Sequence, residues 1–484
     1  MKTIKSSSPG LKTTTIILCS LLAAGCGYQQ YQAHPLAAEQ GQVSFRVHDI
    51  QDSGFLAYLQ ESGYDHVPAQ WDWQELLFCT LYFHPDLDVA RAQLSRATAA
   101  ITTAQQRPNP GISTGAGHRN EPGATEVYSL GFNIPIETAG KRQARIDMAS
   151  QLSESARLNI AQTAWNLRHR LLSSWIEFSA AHQALSMLEQ ESALREKIVS
   201  MLTERLQAGM ISSVELSNAR LQWQKVQQSL VEERGKMDEL KAQLASNAGL
   251  PLDKFDQLKL KLASADQLFV AQHNVELANP LNPAAQDAAL LNRLDIRAGL
   301  ASYAASEARL RLEIARQYPD ISLEPAYNYE EGFHIWSLGI SSLLSVLHRN
   351  QGQIAEAKAL RETEAAQFEA LQARVIAAMD SARSRYHSAL QALEQARLLH
   401  EAQLSQAQQV NLRFEHGFAD RLELVTHQLE GVLAKQRLLA AEYQVQRAAA
   451  ALEDSMQLPL ENLTPLPAVP RQSPSRQTLQ EATP

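Results

Sequence analysis

Segments of this chain recur at a fixed spacing, and that duplication constrains the fold more than any other feature of the sequence. Arg205-Leu-Gln-Ala-Gly209, followed by Val214-Glu215-Leu216, returns 208 residues later as Arg413-Phe-Glu-His-Gly417, followed by Leu422-Glu423-Leu424. At the same offset Tyr128-Ser-Leu-Gly-Phe132 meets Trp336-Ser-Leu-Gly-Ile340, and Asn247-Ala-Gly-Leu-Pro251 meets Ser455-Met-Gln-Leu-Pro459. A constant offset over such a distance marks a duplicated unit of ~165 residues, far longer than the 20–50 residues of a solenoid repeat. The sequence divides into a signal at 1–25, an irregular segment at 26–71, repeat 1 at 72–251, a linker at 252–283, repeat 2 at 284–459 and a tail at 460–484.

Each repeat reads alike. A helix starts at Pro85, where proline is tolerated in the first turn, and runs to about 106, where Arg107-Pro-Asn-Pro110 breaks it. Two short alternating stretches follow, then a very long helix at about 141–208 and a shorter one at 212–249. The second repeat places its helices at 293–317, 350–416 and 420–457. Phe368, Leu371, Val375, Met379, Ala382, Tyr386, Leu390 and Leu393 recur at spacings of three and four, a coiled-coil seam. At ~1.5 Å per residue the long helices extend to roughly 90–100 Å. They are too long and too polar for a hydrocarbon core of ~30 Å, so they pack side by side in water.

The strands alternate with period two. Tyr128, Leu130, Phe132 and Ile134 oppose Ser129, Gly131 and Asn133. Ile321, Leu323, Tyr327 and Tyr329 oppose Ser322, Glu324, Ala326 and Asn328. Trp336, Leu338 and Ile340 oppose Ser337, Gly339 and Ser341, and Ile112, Thr114 and Ala116 oppose Ser113, Gly115 and Gly117. Stretches of ~10 residues, apolar on one face and small or polar on the other, are the pattern of a membrane barrel. A half-buried sheet of a soluble domain alternates in the same way. Four strands cannot close a barrel, whose smallest form has eight, so several chains must contribute.

Composition excludes other classes. The formal net charge of −8 over 484 residues becomes about −11 once Lys2, Lys5 and Lys12 are removed with the leader, which argues against nucleic acid. Three cysteines without a C-x-x-C rule out a disulfide scaffold and a zinc ribbon. Those lysines and the apolar Thr13–Ala24 stretch form a secretory signal. It ends Leu21-Leu-Ala-Ala-Gly-Cys26, which resembles a bacterial lipobox and makes Cys26 a lipidation candidate; the alternative is an ordinary cleaved signal with an incidental cysteine.

The order of these features resembles the outer membrane factors, the TolC-like channels of tripartite efflux and type I secretion. The duplication carries the resemblance, with Pro-Asp-Ile-Ser entering a strand, Ala139-Gly-Lys-Arg142 and Asn350-Gln-Gly-Gln-Ile354 opening the long helices, and the paired Arg-x-x-x-Gly helix tips. It implies a mainly α fold with a small β part. In a homotrimer this becomes a 12-stranded outer-membrane β-barrel, lipid-facing outside and continued by a periplasmic α-helical barrel. The implied function is the exit duct of an efflux system, fed by a periplasmic adaptor and an RND- or ABC-type inner-membrane pump. Ala-Gly-Lys-Arg and Pro-Asp-Leu-Asp look most like the heavy-metal-efflux branch. The alternatives are a polypeptide exit channel for type I secretion and a non-channel periplasmic coiled-coil adaptor or scaffold. The family is not enzymatic and needs no cofactor.

Two regions stand out as functional. Gly209, Met210, Ile211 and Ser212, with Gly417, Phe418, Ala419 and Asp420, form the helix-hairpin tips. Glycine permits a left-handed helix exit, and Ser212 and Asp420 can cap the helix that follows. The resemblance implies that these tips dock the adaptor. It also matches Glu423 to an acidic position narrowing the periplasmic entrance, whereas Thr426 stands where many members carry a second acid. The plain alternative for Glu423 is an acid favoured by a helix N-terminus. Gly111-Ile-Ser-Thr-Gly115 fits the nucleophile-elbow pattern, but prolines precede it and a strand follows, so no catalytic residue is assigned. The 14 histidines show no metal-binding spacing, and no metal site is assigned.

Overall fold

The computed structural model describes residues 29–33, 35, 37–64, 66–118, 126–262, 289–343, 346–459 and 470. It divides into two compact units, residues 1–47 and 48–484. Among its described residues the first carries one helix, α1 (Ala38–Arg46). The second begins with α2 (Ser53–Glu61) and α3 (Trp73–Phe83), then α4 (Pro85–Gln105), β1 (Gly111–His118), β2 (Glu126–Ile136), α5 (Lys141–Gln207), α6 (Ser213–Asn247) and the short α7 (Leu252–Phe255). Repeat 2 supplies α8 (Leu294–Ala315), β3 (Ile321–Glu330), β4 (Phe333–Ser342), α9 (Gln351–Glu415) and α10 (Arg421–Met456).

The segment read as irregular contains α1 and α2, and repeat 1 opens with a helix, α3, that periodicity does not reveal. Nine of the 11 residues of α3 are buried, so it is apolar all round and shows no amphipathic stripe. A local signal does exist. Asp72 accepts from the backbone N–H groups of Gln74 and Glu75, and the Glu75 carboxylate accepts from Asp72 N–H at 2.8 Å, a complete capping box. In α2, Asp52 accepts from Phe55 N–H, and Phe55, Tyr58 and Leu59 turn inward together.

These short helices build the main core. Phe55, Leu76, Leu81 and Phe83 pack with Leu167, Leu171, Trp175 and Ile176 of mid-α5, and with Leu244 and Leu250 at the end of α6. Trp71 closes this layer by exchanging backbone hydrogen bonds with Lys259 and Lys261 at 2.9 and 2.8 Å. The α5 helix runs 67 residues without proline, about 100 Å at 1.5 Å per residue, and packs on α4, α6, α8 and α10. The expected seam of α9 buries Val375, Met379, Ala382 and Leu393; near its C-terminal end Ala389 is buried and Leu390 is 38% exposed.

The four strands form one antiparallel sheet in the order β1-β2-β3-β4. The central pair, β2 with β3, joins repeat 1 to repeat 2, so the duplicated halves share a single sheet. Among the described residues both outer strands, β1 and β4, have one open edge.

Candidate functional site

Directly paired residues of an antiparallel sheet share a face. The register aligns Thr114, Leu130, Tyr327 and Trp336 across all four strands, and Ile134, Leu323 and Ile340 across three. Ser113, Gly131, Ala326 and Ser337 align on the opposite face. One face is therefore apolar and the other small and polar, as alternation predicts. Trp336, Leu338 and Ile340 of the edge strand are 80, 70 and 70% exposed, far more than an apolar face in water tolerates. At the end near the β3–β4 turn the apolar face carries aromatic rings. Tyr327 and Trp336 lie 4.8 Å apart, and Tyr327 Oη hydrogen-bonds His334 Nδ1 at 2.6 Å. Among the described residues no helix is long and apolar enough to cross a membrane.

At the opposite end the sheet turns into the helices through left-handed corners. Ala139 and Gly140 have φ of 55° and 72°, and Asn350 has 59°. The Ala-Gly-Lys-Arg and Asn-Gln-Gly sequences are thus corner-makers. Lys141, only 7% exposed, donates to Asp320 Oδ1 at 2.7 Å and to Tyr318 O at 2.6 Å. Asn350 Nδ2 donates to the Glu313 backbone and side chain at 2.8 and 2.9 Å. Arg145 pairs with Glu137, and Arg142 donates to Gln105 O, satisfying a carbonyl at the end of α4. These bonds fix the angle between strands and long helices.

At the far end of the helices lie the two hairpin tips. Gly209 and Gly417 have φ of 72° and 76°, and the N–H groups of Met210 and Phe418 reach back to Arg205 O and Arg413 O at 2.9 and 2.7 Å. Both are glycine exits of the kind the spacing predicts. Ser212 caps α6 in a box with Glu215, and Asp420 caps α10 by accepting from Glu423 N–H at 2.8 Å. Met210 and Phe418 are 68 and 77% exposed at the two turns.

The tips differ in one respect. Arg205 crosses to Asp420 at 2.8 Å and so links the first hairpin to the second, while its repeat mate Arg413 stays on its own hairpin and pairs with Glu423 at 2.9 Å. Capping by Glu423 N–H and the Arg205 guanidinium hold the Asp420 carboxyl below its ordinary range. Glu423 is thus a partly paired acid at a helix start. Thr426 donates to Leu422 O at 2.8 Å and carries no charge.

The elbow-like Gly111–Gly115 stretch forms β1, fully exposed and followed by a strand. Cys26 lies outside the described residues. Among the described residues no group of three or more His, Cys, Asp or Glu side chains could hold a metal. One cluster escapes pattern reading: Arg168 meets Glu453 in a buried ion pair between Trp73 and Trp165, and neither belongs to a local motif. Glu324 lies on the small-residue face, where alternation places it.

Residues 80–250 match the family described as outer membrane efflux protein. The cobalt-zinc-cadmium resistance protein CzcC of Cupriavidus metallidurans is 26% identical over 294 residues, 60% of this chain and 66% of that protein, so the match spans just under two thirds of it. The outer membrane protein VceC of Vibrio cholerae superposes with a TM-score of 0.65 at 16% identity, covering 80% of this chain and 97% of that one. The CmeC outer membrane channel of Campylobacter jejuni gives 0.64 at 11% identity, covering 94% and 97%. The fold is that of outer-membrane channel proteins.

Proposed function

We propose that this chain, which belongs to the outer membrane efflux protein family, is the outer-membrane exit duct of a tripartite efflux system. The observation that carries the reading is the sheet. It has an apolar face, a small polar face and two open edges, and hydrocarbon tolerates no open edge. Three copies, joining β4 of one to β1 of the next, make a closed barrel of 12 strands. The long helices extend it into the periplasm as a second, α-helical barrel.

The duct has no phosphate-binding loop, so its energy comes from a pump in the inner membrane, through an adaptor. The exposed tips around Gly209–Ser212 and Gly417–Asp420 dock that adaptor, with Met210 and Phe418 as apolar contacts. Glu423 lines the periplasmic entrance. Cys26 carries the lipid anchor. The chain performs no catalysis of its own. Likeness to CzcC favours metal cations as cargo.

The test is assembly and conduction. Purified protein should be trimeric and open ion-conducting pores in a planar bilayer. A monodisperse monomer, or a trimer without conductance, would overturn the reading.

A further inference from the structure

The small-residue face of the sheet has charge of only one sign. Among the described strand residues it carries Glu324 and Glu330 and no lysine, arginine or histidine. The strand histidines, His118 and His334, align with Glu126 and Tyr329 on the other face. Glu330 sits at the β3–β4 turn, whereas Glu324 lies within the sheet among small residues.

Glu324 is also held in a shaped place. Its partner across the strands is Gly339, where an added Cβ would lie 3.4 Å from Glu324 Cβ and 3.6 Å from Oε2. Glycine there leaves room for the carboxylate to lie over β4. Ser341 Oγ donates to Oε1 at 2.5 Å. A hydroxyl orients the carboxylate without cancelling its charge. Three bases near the foot of the sheet are paired with acids, Lys141 with Asp320, Arg145 with Glu137 and Arg316 with Glu313, and Arg142 is turned to the Gln105 carbonyl of α4. None of these bases belongs to the strand face that carries Glu324.

We propose that Glu324, repeated three times around the closed barrel, is the residue that sets the cation preference of the barrel lumen. This rests on the duct reading. Rings of like-charged side chains select ions by sign, and a wall of one sign concentrates counter-ions. In a water-filled lumen such a field reaches ~30 Å at 0.01 M salt and ~3 Å at 1 M.

The test is the reversal potential of single channels under a KCl gradient. Glu324→Gln should lower the potassium-to-chloride permeability ratio about twofold or more near 10 mM salt, and hardly at 1 M. Ala326→Lys, on the same face, should lower it further. A Glu324→Gln channel that keeps the parental ratio at 10 mM overturns the proposal. If that variant yields no trimer, an unchanged ratio in Ala326→Lys overturns it instead. A parent protein that forms no channel fails the duct reading itself, a result distinct from either of these.

Discussion

Arg168 of α5 and Glu453 of α10 form an ion pair sealed from water, with 3 and 1% of each residue exposed. The guanidinium carbon lies 5.1 Å from the Trp73 ring and 5.2 Å from the Trp165 ring, and Trp165 Nε1 donates to Asp454 at 3.0 Å. The pair joins repeat 1 to repeat 2 at the level of the main core. Removing one member leaves a buried charge without its counter-ion, which costs ~3–5 kcal/mol, whereas replacing both by apolar groups is close to neutral. Arg168→Met should therefore lower the thermal unfolding midpoint by several degrees. The double variant Arg168→Met/Glu453→Leu should recover most of the loss. Circular dichroism melts of the three proteins decide it. A double variant as unstable as the single one would show that the pair is not the cause.

Much of this fold was legible because the chain states it twice. The ends of α4, α5, α6, α9 and α10 fall within a residue or two of the expected boundaries, since proline and glycine punctuate them and a repeat mate confirms each. The strand faces followed from alternation, and the register agrees pair by pair. What pattern reading misses is long-range or locally featureless. Helix α3 has no stripe because it is buried all round. Arg168 and Glu453 are 285 positions apart, and nothing local marks either as a partner. At the tips the spacing gave the glycine exits and caps, but not that Arg205 would cross to Asp420 while Arg413 would hold Glu423.

The two faces of the sheet should respond differently to the same substitution. Leu338, 70% exposed, belongs to the apolar face, and Ser337 is its neighbour on the small face. A charge towards lipid costs ~2–4 kcal/mol near the bilayer midplane. In a trimer Leu338→Arg pays this three times and should strongly reduce the assembled protein recovered from outer membranes. Ser337→Arg should insert normally and change conductance. Equal losses in fractionated membranes would mean that the faces are wrongly assigned.

Glu75 gives the core a pH dependence. Burial, together with the neighbouring Asp72, pushes its carboxyl up to about 7, against an ordinary value near 4.5. Between those values the folded chain holds a proton that the unfolded chain has lost. Stability therefore falls as pH rises through about 4.5 to 7, and the contribution is constant above that window. Glu75→Gln does not titrate and retains an acceptor for Asp72 N–H. The difference in stability between pH 5 and pH 8 should shrink by about 1 kcal/mol in this variant, a value discounted because the carboxyl is only half-buried. Denaturant unfolding at the two pH values measures it; an undiminished difference would assign the dependence to other groups.

If Cys26 carries the anchor, Cys26→Ser should lose incorporation of labelled palmitate. One acyl set binds membranes only moderately, so a barrel already inserted should keep the variant in the outer membrane. Label retained in Cys26→Ser, or an unmodified mature N-terminus by mass spectrometry, would remove the lipid anchor from the proposal.

The entrance gives the most demanding test, because two descriptions of Glu423 compete. In one it is a helix-start acid, capped through its N–H by Asp420 and tied to Arg413 at 2.9 Å. In the other its three copies converge on the axis of a trimer. At ~8–10 Å and an effective dielectric of 20–80, each pair of such carboxylates interacts by roughly 0.5–2 kcal/mol. That is enough to tune cation entry and too little to hold a gate closed. Pairing with Arg413 reduces the field further, yet Glu423→Ala removes the acid and leaves Arg413 uncompensated, so the entrance becomes more positive. The variant should weaken block by divalent cations and shift selectivity towards anions, with trimer yield unchanged. Glu215→Ala is the natural control. Its carboxylate turns back to Ser212 in the first tip, and Arg205 is engaged by Asp420, so its loss frees no arginine. Single-channel recording with added divalent cation separates the two descriptions. If both variants conduct and block like the parent, Glu423 serves only to start α10.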